Sequence, residues 1–146
     1  MKLEDIEKDW AEDCVVNQED LGKAAMEIPK LHSKYYGYLL NEKRLLYILQ
    51  EKKEELAIVL ENYFLKTMTT EERLAAGLPD FLDKKILKSD VDRHIDRWPE
   101  IIQLNLKIAI QQDKIDFLKD INKMIHNRSF VVKDAISWIL FTNGQN

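Results

Sequence analysis

Apolar residues recur at helical intervals along most of the chain. Leu3, Ile6 and Trp10 stand at i, i+3 and i+7, one face of a helix, and Glu4, Asp5 and Glu7 crowd its first turn, where a helix N-terminus favours negative charge. After the short apolar link Cys14-Val15-Val16, Asn17 and Asp20 predict a cap for a second helix. From there the apolar positions run Leu21, Ala24, Ile28, Leu31, Tyr35, Tyr38, Leu45, Leu49, Leu56, Val59 and Tyr63. Their spacing of about 3.5 residues is that of a coiled-coil seam, with Glu42 and Lys52 as polar seam positions that specify register or partner. Pro29 must kink or restart this helix, because its ring displaces a backbone hydrogen bond one turn back.

Residues 67–99 break the pattern. Thr69 and Glu72 have capping-box spacing, Gly77 and Pro79 end the short helix they open, and Ser89 with Asp92 predicts another cap. Pro99 suits a first helical turn. From residue 100 to 126 two apolar stripes appear, one through Ile101, Leu104, Ile108, Ile115, Leu118 and Ile125, the other through Ile102, Leu106, Ile110, Phe117, Ile121 and Met124. A helix with two apolar stripes needs cover on two sides. Asn127-Arg128-Ser129 predicts a stop and a new cap, followed by a short apolar helix over residues 130–141 that ends before Asn143-Gly144.

The predicted fold class is all-α: two long helices plus shorter N-terminal, middle and C-terminal helices in a single domain over residues 1–146. Residues 1–66 form its N-terminal helices, 67–99 a connecting segment and 100–146 its C-terminal helices. A chain this short has few internal partners for the second stripe and for Trp138-Ile139-Leu140-Phe141, so packing between subunits is expected. Ile108, Ile115, Leu118, Ile121, Ile125, Trp138 and Phe141 are the candidate oligomerisation residues.

Composition narrows the classes. Four glycines and three prolines in 146 residues argue against a tight-turned all-β fold. The chain has no apolar run long enough to span a membrane and no apolar stretch near Met1 to act as a signal peptide. A lone cysteine, Cys14, excludes an internal disulfide and fits a reducing cytoplasm. There is no glycine-rich phosphate loop. His32, His94 and His126 fall in separate segments, and Asp90 with His94, one turn apart, supplies only two of the ligands a metal site needs. No catalytic constellation is visible, so the chain is read as a non-enzyme without cofactor or metal.

The net charge of −4 is unevenly placed: residues 1–29 carry −6, 30–66 carry +2, 67–100 carry −2 and 101–146 carry +2. Within residues 30–53, Lys30, Lys34, Lys43, Arg44, Lys52 and Lys53 face only Glu42 and Glu51, interleaved with His32, Tyr35, Tyr36, Tyr38 and Tyr47. Cations that track a phosphate backbone, mixed with flat rings that accept stacked bases, are what single-stranded nucleic acid requires. Tyr35 and Tyr38 lie on the seam and are assigned to the core, leaving Tyr36 and Tyr47 free to stack. The candidate nucleic-acid-binding set is therefore Lys34, Lys43, Arg44, Lys52, Lys53, Tyr36 and Tyr47, with Lys123, Arg128 and Lys133 next in line.

The order of motifs resembles the UvsY family of tailed-phage recombination mediators. The similarity runs through Met1-Lys2-Leu3-Glu4-Asp5-Ile6-Glu7, Leu21, Ala24-Ala25, Ser33-Lys34-Tyr35, Glu51-Lys52-Lys53, Leu56, Leu60-Glu61 and Tyr63-Phe64, and returns in Arg128-Ser129-Phe130-Val131-Val132-Lys133. It weakens between residues 66 and 88, where the chain carries an insertion. The resemblance implies a non-enzymatic mediator that binds single-stranded DNA, contacts the phage recombinase and the phage single-strand-binding protein, and works as a hexameric or heptameric ring in the cytoplasm of the infected bacterial host. Lys34, Lys52, Lys53, Arg128 and Lys133 match or nearly match basic positions of the family. One departure stands out: where the family carries two cations in a stretch associated with DNA contact, this chain has Ala57 and Val59. That loss and the net acidity favour an alternative, a helical oligomeric adaptor or structural protein that binds only proteins.

Overall fold

The computed structural model describes residues 1–144, and all regular structure among them is helical. Six α-helices follow in order: α1 (Leu3–Asp13), α2 (Leu21–Met26), α3 (Ile28–Phe64), α4 (Thr70–Ala75), α5 (Val91–Asp96) and α6 (Pro99–Thr142), with one 3-10 turn at Lys88–Asp90. The two long helices are α3, of 37 residues, and α6, of 44.

The helix boundaries follow local chemistry. Asp20 caps α2 by accepting from the Lys23 backbone N–H at 3.1 Å. Pro29 restarts rather than kinks: α2 ends at Met26, and Pro29 falls in the first turn of α3, where no N–H is required. Thr69 and Glu72 form the expected capping box, with reciprocal bonds of 3.1 and 3.3 Å. Gly77 follows α4 at φ 69°, the left-handed conformation that a residue without Cβ adopts at no steric cost.

Two expected boundaries are absent. Asn127-Arg128-Ser129 does not stop a helix; α6 continues through it to Thr142. None of the three residues removes a backbone donor, and Arg128 is buried and anchored, so tertiary contact overrides weak local propensity. Ser89 does not cap α5; it lies within the 3-10 turn that feeds it, and Asp90 occupies the cap position with its side chain bonded to Arg93 and not to the helix backbone.

The chain divides into two compact units, one of Met1–Arg44 with Gln112–Asn146, the other of Leu45–Gln111. These units do not follow the three segments marked out in the sequence; each takes part of both long helices. In the first, α1 is tied to the start of α3. Asp13 Oδ2 accepts from Lys34 Nζ at 2.6 Å and from Tyr35 Oη at 2.8 Å, Asp9 Oδ2 accepts from Tyr38 Oη at 2.8 Å, and the Trp10 ring meets Tyr35 edge-on at 5.4 Å. Arg128 fastens α6 to the end of α1 by donating to the carbonyls of Asp13 at 2.7 Å and Val15 at 3.1 Å. Leu21 and Ala24 of α2 pack with Val132.

The second unit is centred on Leu60, Tyr63, Phe64, Leu78, Val91, Ile95 and Ile101, flanked by Phe81 and Trp98. The segment 67–99 supplies much of this core and is more than a connection. Arg73 is buried there, donating to the Leu78 carbonyl at 3.0 Å, paired with Asp80 at 3.2 Å and lying over the Phe81 ring.

Candidate nucleic-acid interface

Burial along α3 falls at Leu31, Tyr35, Leu39, Glu42, Leu46, Leu60 and Tyr63, with Leu49, Lys53 and Leu56 half-buried. Measured against the seam read from the sequence, burial holds at 35, 42, 49, 56 and 63 and moves one residue on between them, from 38 to 39, 45 to 46, 52 to 53 and 59 to 60. The buried positions keep the 3.5-residue repeat with its steps of three and four exchanged, so the buried face is the seam turned slightly about the helix axis. It decides which candidate cations face solvent: Lys52 is exposed and Lys53 half-buried.

The sequence candidates divide between the units. In the first, Tyr36 and Lys43 lie two turns apart on one face of α3, with Arg44 exposed beside Lys43. In the second, Tyr47 is 62% exposed, and Lys52 and Lys53, adjacent in sequence, point about 100° apart around the helix axis. Tyr35 is a core residue, as the seam implied, whereas Tyr38 is half-buried, its hydroxyl donating to Asp9, and Leu39 takes the buried position. Burial and the bond to Asp13 push the Tyr35 hydroxyl far above the ordinary tyrosine range, so it stays a neutral donor.

Lys34 is placed differently from the sequence expectation. Its ammonium lies 2.6 Å from Asp13 and 3.7 Å from Asp9. The hydrogen bond to Asp13 raises its pKa against the opposing effect of burial. On Asp13, burial alone would raise the pKa, but the bonds from Lys34 and Tyr35 and the charges of Lys34 and Arg128 outweigh it and hold the carboxyl below its usual value. Lys34 is thus occupied in joining α1 to α3. Arg128, a reserve candidate, is likewise spent on backbone carbonyls.

Ala57 and Val59, which stand where the family carries two cations, pack against the core of the second unit. These positions serve packing in this chain.

The sequence reading missed a groove of about 640 Å³ in the first unit, between α3 and α6. Leu39 is buried along it, and His32 stacks on Tyr36 with ring centroids 5.5 Å apart and planes 11° from parallel. Lys119, Lys123 and His126 line it from α6, together with Asp116 and Asp120. The signal was the i, i+4 pair His32 and Tyr36, but which residues of α6 face it is a property of the tertiary structure.

The candidate oligomerisation residues also separate. Ile115, Leu118, Ile121 and Ile125 are at most 1% exposed and Ile108 is half-buried. The four buried residues are interior to the chain and offer no surface to a neighbour, a correction to their expected role: the first stripe, joined by Ile121, packs inward. Trp138 and Phe141 remain 65% and 64% exposed, their rings stacked at 5.9 Å, and Ile102, Leu106, Ile110 and Met124 of the second stripe are exposed as well.

Among the described residues no three or more His, Cys, Asp or Glu side chains converge as a metal site would need, and no helix is long and apolar enough to cross a membrane. Asp90 pairs with Arg93 at 3.1 Å, while the His94 ring lies against Phe64.

The family model described as "Recombination, repair and ssDNA binding protein UvsY" matches residues 9–145. Two crystal structures of the bacteriophage T4 recombination mediator protein UvsY have the same fold. That of lattice type II aligns with a TM-score of 0.79 at 16% identity, covering 98% of each chain. That of lattice type IV aligns at 0.76 and 15%, covering 97% of this chain and 99% of the other. A search of curated protein sequences finds no match.

Proposed function

The chain belongs to the UvsY family of recombination, repair and single-stranded-DNA-binding proteins, and from that membership we propose that it is a recombination mediator. In this reading it binds single-stranded DNA and promotes loading of a phage recombinase onto DNA covered by single-strand-binding protein. The observation that carries the reading is the family match over nearly the whole chain. The side chains support it: α3 offers exposed Tyr36 with Lys43 and Arg44 in the first unit, and exposed Tyr47 and Lys52 with half-buried Lys53, spread around the helix, in the second.

The partners are single-stranded DNA, the phage recombinase and the phage single-strand-binding protein, and the setting is the cytoplasm of the infected bacterium. The task is one of binding and exchange, so it requires no catalytic group and no cofactor. A homo-oligomeric ring of six or seven subunits repeats a weakly basic patch and holds a strand by avidity. The exposed Phe130, Val131, Trp138 and Phe141 of α6 are the surface for assembly.

Fluorescence anisotropy of a labelled oligonucleotide across a salt series tests the reading. Binding should weaken with salt, with a log–log slope of about −0.7 for each phosphate neutralised. Absence of binding at low salt would leave the oligomeric adaptor that binds only proteins.

A further inference from the structure

The groove between α3 and α6 of the first unit is built like a seat for a flat, uncharged ring. Tyr36 is 46% exposed, and its stacking on His32 joins two rings into one aromatic ledge. Leu39 is buried beside the ledge. Across from it, Asn127 contributes an amide and Lys119 and Lys123 contribute ammonium groups, while the Asn122 amide is turned to the Leu118 carbonyl at 2.9 Å.

The charge balance narrows the occupant. Asp116 and Asp120 offset Lys119 and Lys123, so with neutral histidines the lining carries no net charge. Asp116 already accepts from Gln112 Nε2 at 2.9 Å, and Asp120 lies 4.0 Å from Lys123 Nζ. A groove so balanced gives little to a bare phosphate. It suits the neutral part of a nucleotide, whose base presents a π-face to an aromatic ledge and a polar edge to the Asn127 amide, with its phosphate left toward the exposed Lys119 and Lys123. We propose that this groove receives one base of the bound single strand in each subunit, stacked on Tyr36 and His32.

This proposal rests on the single-stranded-DNA reading above and adds to it a second, base-dependent contact distinct from the cations of α3. Such a contact is nearly blind to salt, because stacking releases no counterions, and tolerant of sequence, because every base has a π-face.

The experiment compares a thymidine oligonucleotide with one of equal length carrying abasic spacers, by anisotropy over a salt series, for the full chain and for Tyr36→Ala, Tyr36→Phe and Tyr47→Ala. The full chain should prefer the base-bearing strand. Tyr36→Ala should lose on the order of tenfold in affinity for that strand, change little with the abasic one, and keep the wild-type salt slope. Tyr36→Phe, which retains a stacking face, should behave as wild type. Circular dichroism should show all variants equally helical. If Tyr36→Ala keeps the full preference for bases while the chain still binds DNA, or if that preference is lost only in Tyr47→Ala, the groove is not the base site and the mediator reading stands. If the full chain binds neither strand, both proposals fall together.

Discussion

Lys114 of α6 donates to Glu42 of α3 at 3.1 Å inside the first unit, and their side chains are only 13% and 3% exposed. The same ammonium donates to the Met1 carbonyl at 2.8 Å. Glu42 interrupts the apolar seam of α3, and this pair explains how a charge is tolerated there. An ion pair taken out of water loses much of its Coulombic gain to desolvation, but removing Lys114 takes the nearer of two cations from a buried carboxylate and leaves it the Met1 ammonium at 3.5 Å. Lys114→Met should therefore destabilise the fold by roughly 1–3 kcal/mol, whereas Glu42→Leu with Lys114→Met should recover part of that loss. Urea unfolding of the three proteins measures it; equal stability of wild type and Lys114→Met would remove the pair from the account of the core.

The Asp13 cluster makes stability depend on pH in a definite direction. Its carboxyl sits below the ordinary 3.8 in the folded chain, with the Lys34 and Tyr35 hydrogen bonds overcoming burial. The folded state then binds fewer protons at this group than the unfolded one, so its contribution is complete above the unfolded value and is lost as pH falls through the lower folded value. Lys34, raised above 10.5, contributes below that value and loses its share as pH rises past it. Thermal melts of Asp13→Asn should lie below wild type at pH 7 and converge toward it as pH drops below about 4. A constant gap across that range would show that the cluster acts by packing alone.

Among the lysines of α3, ion pairs with Asp13 and Asp9 set Lys34 apart as structural. Lys52→Ala with Lys53→Ala should weaken single-strand binding for every sequence and flatten the log–log salt slope by about 0.7 for each phosphate no longer neutralised. Lys34→Ala should instead lower the melting temperature and leave the slope unaltered, because its ammonium is held by Asp13 and Asp9. Anisotropy and thermal melts on the same samples distinguish the two outcomes, and a wild-type slope in the double variant would assign the phosphates to other residues.

Along α6, stability and assembly should respond to different residues. Leu118→Ala removes a side chain that is fully buried and should cost roughly 2–5 kcal/mol in unfolding free energy. Trp138→Ser with Phe141→Ser removes exposed rings and should leave the chain folded while lowering its sedimentation coefficient. An unchanged sedimentation profile in the Trp138/Phe141 variant would place the subunit interface elsewhere, with Ile102, Leu106 and Ile110 as the remaining exposed apolar row.

Much of this protein was written locally. Apolar residues at helical spacing, scarce glycine and proline, the Thr69–Glu72 box, Asp20, Pro29 and Pro99 determined an all-helical chain with two long helices, because caps and periodicity act over a few neighbouring residues and can be read in one dimension. The order of motifs determined the family for the same reason. Tertiary structure decided what local rules cannot. It carried α6 through Asn127-Arg128-Ser129, where the Arg128 guanidinium meets the carbonyls of Asp13 and Val15 from more than a hundred residues away. It engaged the Lys34 ammonium with Asp9 and Asp13 of α1, and turned Ile115, Leu118, Ile121 and Ile125 inward. It turned the buried face of α3 by one residue at 38, 45, 52 and 59, a choice set by what packs against the helix and not by its own periodicity. And it set the His32–Tyr36 ledge opposite Lys119 and Lys123, a pairing of residues some ninety positions apart in sequence that no local pattern encodes.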